Sequence, residues 1–85
     1  MNIRLHKKFI KGYNKLTSSQ KKKFKERRNL FLQDEFNPIL NNHALTGKYR
    51  GYKSINVGGD LRAIFKQEQD MVLFTMIGSH SKLYG

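Results

Sequence analysis

Two stretches of the sequence combine histidine with cationic and aromatic side chains, a set that can act on a phosphodiester. HALTGKYRGY, residues 43–52, places one histidine, two cations and two tyrosines in ten positions. The C-terminal IGSHSKLYG repeats the combination, with Tyr84 four residues after His80. Histidine transfers protons near neutral pH, arginine matches phosphate oxygens, and a tyrosine ring can stack on an unpaired base.

RNA is a substrate for which these groups suffice. Its 2′-OH can attack the adjacent phosphorus if one group removes the hydroxyl proton and another protonates the leaving 5′-oxygen. Cations then stabilise the charge that builds up around phosphorus. A lone histidine in a loop is more often only solvated, and His6, among lysines at a predicted helix start, is interpreted that way.

Other kinds of hydrolytic site find no support in the sequence. It contains no HExxH, Walker loop, Cys/His zinc pattern or GxSxG elbow. The absence of cysteine excludes disulfides and thiolate metal sites. The few carboxylates are scattered, which argues against a two-metal nuclease. We therefore expect neither a metal ion nor another cofactor.

The charge is strongly positive and uneven. Seventeen Lys and Arg against six Asp and Glu give a net charge of +11. Residues 1–28 hold eleven of the bases and one acid, whereas residues 29–85 hold six bases and five acids. Such a field attracts polyanions, most commonly nucleic acid, although an acidic protein or plain solubility would also explain it.

Length and hydropathy predict one domain over residues 1–85. About 38% of the positions are hydrophobic, enough for a core without disulfide or metal crosslinks. No apolar run approaches the roughly 18 residues of a membrane span, and the basic N-terminal stretch lacks the apolar run of a signal peptide. We expect a cytoplasmic protein with no membrane contact.

The first half of the chain predicts one strand and two helices. Asn2–Leu5 suits a short strand, and residues 7–16 carry apolar side chains at helical spacing. Thr17 and Gln20 fit a capping box, so a second helix is predicted from there to about Phe36, before a proline. The residues predicted to share its apolar face are Phe24, Phe31, Leu32 and Phe36.

The second half has strand periodicity. Residues 52–57 and 60–66 alternate, and Gly58-Gly59 between them predicts a hairpin turn. MVLFTMI predicts a central strand covered on both faces. The fold class is therefore α+β: one small domain, β-α-α-β-β-β, with two helices on one face of a mostly antiparallel sheet. The other face is expected to be partly open and to carry Ser54, Asn56 and Arg62.

Three segments together resemble a known family. HALTGKYRGY, NVGGDLRAIFK and GSHSKLYG are similar to the RelE/ParE superfamily of bacterial toxins, above all to the YafQ-like branch of RelE-type mRNA interferases. The similarity is strongest over residues 43–85. It implies a RelE-like fold and a toxin that cleaves mRNA on the ribosome. It also implies a cognate antitoxin, expected to be acidic and encoded by the neighbouring gene.

The resemblance also implies site residues. The catalytic candidates from the resemblance are His80, His43, Asp60 and Arg62, and its aromatic Tyr84 is a candidate RNA-binding residue. Residue type alone adds Lys48, Tyr49 and Arg50 as further RNA-binding candidates. His80 is the expected principal acid–base residue, with His43 a second one or a phosphate ligand. The chain departs from the branch at Asn56, where YafQ has another histidine, and at Leu61, where it has tryptophan.

The residues alone are also compatible with two other functions. A ParE-like toxin would poison DNA gyrase without cutting RNA, and the same fold supports both activities. A passive nucleic-acid-binding module would need the basic helices but not His80. The lysines of both helices, with Arg27 and Arg28, are expected to form one outer patch, away from the catalytic residues, that binds ribosomal RNA.

Overall fold

A five-stranded sheet organises residues 1–84, the part of the chain that the computed structural model describes. The strands are β1 (Asn2–Leu5), β2 (His43–Ala44), β3 (Lys53–Gly58), β4 (Leu61–Glu68) and β5 (Met71–Ser79). Their order across the sheet is β1-β5-β4-β3-β2. The β1–β5 pair is parallel and the other three pairs are antiparallel. The predicted mostly antiparallel sheet is confirmed.

Three α-helices and two short 3₁₀ helices complete this part of the chain. They are α1 (Lys7–Asn14), α2 (Ser18–Gln33) and α3 (His80–Tyr84), with 3₁₀ helices at Pro38–Leu40 and Gly47–Tyr49. The predicted order is confirmed, and the structure adds the two-residue β2 and the five-residue α3. None of the helices formed by residues 1–84 is long and apolar enough to cross a membrane.

Local sequence accounts for both helix starts. Thr17 and Gln20 form the predicted capping box: the Thr17 hydroxyl accepts from the Gln20 amide at 3.1 Å, and the Gln20 side chain accepts from the Thr17 amide at 2.9 Å. His6 caps α1, since its Nδ1 accepts from the Lys8 amide at 3.0 Å. His6 therefore has a structural role at a helix terminus.

The core is an aromatic cluster between the two long helices and one face of the sheet. It joins Phe9, Phe24 and Phe31 of the helices to Phe65 and Phe74 of the central strands, all at most 2% exposed. Their ring centroids lie 5.1–6.1 Å apart. Each such buried ring stabilises the fold by about 1.5–3 kcal/mol.

Helix α2 ends three residues earlier than predicted. Asp34 leaves helical geometry (φ −155°, ψ 84°), and its carbonyl accepts from the Asn37 amide in a turn. Phe36 is 67% exposed, and Leu32 is exposed as well, so their prediction as core residues is wrong. Phe24 and Phe31 lie two helical turns apart and share a face, whereas Leu32 lies about 100° further round.

The β3–β4 hairpin also differs from the prediction by one residue. Its turn is Gly59-Asp60, and Gly58 pairs with Leu61 beyond a register shift in β3. Gly58 and Gly59 both have positive φ, at 140° and 55°, which glycine adopts without a steric penalty. Asp60 therefore lies in the turn instead of on the strand face that carries Arg62.

The second face of the sheet is partly open, as predicted, but the part around Ser54 is covered. Ser54 and Ile64, which pair across β3 and β4, are fully buried, although neither belongs to the helix-side core. Asn56 and Arg62 on the same face are only half-buried. Helix α3 covers Ser54, since the Tyr84 hydroxyl donates to Ser54 Oγ. Tyr49, from the segment before β3, packs against α3 in turn.

Gly12 provides a test of how closely α1 packs on the sheet. A Cβ at this position would lie 2.9 Å from the Ile77 carbonyl oxygen of β5. We expect Gly12→Ala to lower the free energy of unfolding by about 1–3 kcal/mol through overpacking, although alanine favours the helix. Urea denaturation measures it, with the exposed Lys11→Ala as control. An increase in stability would show that α1 can shift without cost.

Candidate active site

The strand register gathers polar residues on the second face of the sheet. His43 pairs with Ser54 across β2 and β3, and Asn56 pairs with Arg62 across β3 and β4. Ser54 and Asn56 are two residues apart and share a face because side chains alternate along a strand. His43 and Arg62 therefore reach the same side of the sheet from different strands.

Helix α3 brings His80 to this face. The His80 amide donates to the Asp60 carbonyl at 2.7 Å, which joins the start of α3 to the hairpin turn. One turn later the Tyr84 hydroxyl donates to Ser54 Oγ at 3.0 Å. The His80 and Tyr84 rings lie 4.7 Å apart, centroid to centroid. The helix is thus attached to the sheet at both ends.

Tyr49, in the stretch HALTGKYRGY, contacts the other side of α3. The Tyr49 hydroxyl donates to the Leu83 carbonyl at 2.9 Å. Its ring meets Tyr84 edge to face at 5.8 Å and Tyr52 at 6.5 Å. Tyr49 therefore braces α3, the helix that carries His80 and Tyr84. Gly47 permits the turn into this segment, since its φ is 65°.

An open pocket of about 300 Å³ lies between β2, β4 and α3. Its lining residues are Asn41, His43, Leu45, Arg62, His80 and Tyr84. Four residues that the sequence singled out thus meet at one place, although they come from three separate segments. The lining contains no carboxylate, so the pocket favours an anion.

His43 is held in a defined tautomer. Its Nδ1 lies 2.7 Å from the Asn41 carbonyl oxygen. Because a carbonyl only accepts, Nδ1 must carry the proton, and the neutral ring then has an unprotonated Nε2. Asn41 adopts the left-handed conformation, with φ 46° and ψ 49°, which asparagine tolerates better than most residues. His43 is therefore prepared to accept a proton through Nε2.

Arg62 is fixed at the base of the hairpin. Its Nη1 donates to the Gly59 carbonyl at 2.9 Å and to the Leu61 carbonyl at 3.1 Å. The donors on Nε and Nη2 remain for a ligand, since a guanidinium has five N–H groups. Its register partner Asn56 has a buried Oδ1 that accepts no hydrogen bond within residues 1–84. Arg62 thus offers donors at the pocket, whereas Asn56 is not among the residues that line it.

The remaining predicted residues lie elsewhere. Asp60, Lys48 and Tyr49 line a separate groove beside α1. Arg50 is exposed and lines neither cavity. Within residues 1–84 no group of three or more His, Asp or Glu side chains is placed to hold a metal ion. The groups that the pocket itself offers are two imidazoles, one guanidinium and an aromatic ring.

Sequence reasoning missed three residues of the site. Asn41 sets the His43 tautomer, Leu45 forms part of the wall, and Ser54 anchors Tyr84. Ser54 was assigned to the correct face but expected to be open. A signal for Asn41 was present in the Pro-Ile-Leu-Asn segment, since asparagine is favoured where a short helix ends in left-handed geometry.

Comparison with family models identifies one family. The family model described as the bacterial toxin of type II toxin–antitoxin system, YafQ, matches residues 1–85. A search of curated proteins finds no match.

Solved structures show the same fold at low identity. YafQ from Escherichia coli strain BL21(DE3) is 22% identical, with a TM-score of 0.79 and coverage of 99% of this chain and 98% of that one. YafQ in the E. coli DinJ–YafQ complex is 21% identical, with a TM-score of 0.77 and the same coverage. A metal-bound toxin from Helicobacter pylori is 22% identical over 99% of both chains, with a TM-score of 0.71.

The Tyr84–Ser54 hydrogen bond can be measured by a double-mutant cycle. We expect Tyr84→Phe and Ser54→Ala to be coupled by about 0.5–1.5 kcal/mol in the free energy of unfolding, because each removes one partner of a single bond. Tyr52→Phe with Ser54→Ala is the matched control and should be additive. Coupling of similar size in both cycles would show that the bond does not attach α3.

Proposed function

The chain belongs to the YafQ family of bacterial type II toxin–antitoxin toxins, and from this premise we propose that it is a metal-independent endoribonuclease acting on mRNA. The observation that carries the proposal is the meeting of His43, His80 and Arg62 in one pocket without a carboxylate. Two imidazoles can move two protons and the guanidinium can bind the phosphate between them.

The proposed reaction uses the RNA's own 2′-OH. The 2′-oxygen attacks phosphorus as its proton passes to one imidazole, and the bond from phosphorus to the 5′-oxygen breaks as the other imidazole protonates that oxygen. The products are a 2′,3′-cyclic phosphate and a free 5′-hydroxyl. The tautomer of His43 suits the base, because its unprotonated Nε2 is the proton acceptor, which leaves His80 as the acid.

Arg62 and Tyr84 would position the substrate. Charge accumulates on the non-bridging oxygens in the transition state, and the free donors of Arg62 can stabilise it there. The Tyr84 ring forms a wall of the pocket next to His80. An unpaired base can pack on such a ring.

The family also suggests the partners. The E. coli YafQ structure was solved with DinJ as a toxin–antitoxin complex, and we propose that a cognate antitoxin likewise holds this chain inactive. A net charge of +11 favours an acidic antitoxin. The same charge favours mRNA on the ribosome, in the cytoplasm, as the substrate. The alternative of a ParE-like gyrase inhibitor gains no support from the family match.

Replacing His80 tests the proposal directly. His80→Ala should reduce single-turnover cleavage of ribosome-bound mRNA by about 10²–10⁴-fold, the usual contribution of general acid–base catalysis. His6→Asn is the matched control, because it removes an imidazole but keeps an acceptor at the cap of α1. Cleavage is read from 5′-hydroxyl ends inside codons. Full activity of a folded His80→Ala protein would refute the role, and intact mRNA with the wild-type protein would refute the proposed activity.

Replacing Arg62 separates binding from chemistry. Arg62→Ala should slow cleavage more than it weakens ribosome binding, because a cation at the phosphate acts mainly in the transition state. Arg62→Lys keeps the charge but not the paired donors, and should recover part of the rate. Ribosome co-sedimentation, cleavage rate and urea denaturation are measured together. Unchanged cleavage with reduced stability would assign Arg62 to bracing the hairpin turn.

A further inference from the structure

A second concave surface, the basic groove, lies beside the candidate active site. It has a volume of about 570 Å³ and runs between α1, the end of β5 and α3. The lysines that line it are Lys8, Lys11, Lys15, Lys48 and Lys82. Its apolar lining includes Leu61, Ile77 and Leu83. Lys8, Lys11 and Lys15 thus line a groove that reaches Lys48, whereas no lysine of α2 lines it.

The five lysines of the groove come from different elements of the fold. Lys8, Lys11 and Lys15 are three and four residues apart, so they form one stripe along α1. Lys48 comes from the 3₁₀ helix and Lys82 from α3, on the other side of the groove. Five cations from three elements therefore face a common volume.

Within residues 1–84 none of the groove lysines forms an ion pair. The ion pairs within residues 1–84 join the N-terminus to Asp70, Lys23 to Glu26 and Lys66 to Glu68. The carboxylate that lines the groove is Asp60, and it forms none of these pairs. Like charges held around a concavity repel one another, and a bound polyanion would remove that cost.

Helix α3 contributes residues both to the groove and to the active-site pocket. His80 and Tyr84 line the pocket, and Lys82 and Leu83 of the same helix line the groove. A helix of five residues is only about 7.5 Å long. An RNA strand with its reacting phosphate beside His80 can therefore place neighbouring phosphates among the groove lysines.

We propose that the basic groove binds the phosphate backbone of the nucleotides that flank the cleaved bond. This inference rests on the proposed ribonuclease function. It adds a binding site for the part of the RNA that extends beyond the reacting nucleotides. The lysines pair with successive phosphates, and the apolar lining accepts the less polar faces of ribose and base. An acidic protein segment would satisfy the same charges, but the short distance across α3 to the catalytic pocket favours the RNA that occupies that pocket.

The test compares two triple variants of equal charge change. The groove variant is Lys11→Glu with Lys15→Glu and Lys82→Glu. The control is Lys7→Glu with Lys22→Glu and Lys25→Glu, at exposed positions outside both cavities. The probes are RNA oligonucleotides of 3 and 12 nucleotides with 2′-O-methyl riboses, which cannot be cleaved. Fluorescence anisotropy measures their affinity across a salt titration.

The groove variant should bind the 12-mer at least tenfold more weakly than the control variant. Its salt slope should fall by about 2, since three lost phosphate contacts contribute roughly 0.7 each on a single strand. The 3-mer, which fills only the pocket, should bind the two variants equally. A milder triple replacement of the groove lysines by Gln should act in the same direction.

Two results would overturn the inference. One is equal 12-mer affinity of the two triple variants, which would make the groove part of a general positive field. The other is a loss of antitoxin binding confined to the groove variant while RNA binding matches the control, which would assign the groove to an acidic protein. Since the probes measure binding without cleavage, an inactive wild-type protein would refute the proposed function and leave this comparison valid.

Discussion

The attachment of α3 to the second face of the sheet is the contact on which the candidate site depends. A helix of five residues is not stable in isolation, so its position is set by other parts of the chain. Tyr84 bonds to Ser54, Tyr49 bonds to the Leu83 carbonyl, and the His80 amide bonds to Asp60. These three bonds come from β3, the HALTGKYRGY stretch and the hairpin turn. His80 is thus located by segments distant from it in sequence.

The two faces of the sheet separate stability from function. The helix side carries the phenylalanine cluster, which supplies most of the apolar burial. The second side carries few buried apolar groups and several half-buried polar ones, including Asn56 and Arg62. In a hydrophobic core, donors and acceptors without hydrogen-bond partners would lower the stability of the fold. At a binding pocket, a substrate can supply the missing partners.

Much of the fold was predictable because it follows from local patterns. The capping box at Thr17 and the alternation in β3 and β4 depend on neighbours in sequence, and both were predicted. The early end of α2 and the one-residue shift of the hairpin were not, because several turn geometries suit Gly58-Gly59-Asp60 equally well. Histidines and Arg62 were identified by residue type and resemblance. That these residues meet in one pocket, and that Asp60 lies outside it, could be learned only from the strand register in the structure.

The position of the β3–β4 turn determines which charged side chains reach the pocket and which reach the groove. A carboxylate in the pocket would pair with Arg62 and compete with a phosphate, and Asp60 is kept away because it occupies the turn and not the strand face. Its backbone carbonyl still supports His80. One residue thus contributes through its main chain to the pocket and through its side chain to the groove. A residue matched by sequence alone cannot reveal which of these two contributions it makes.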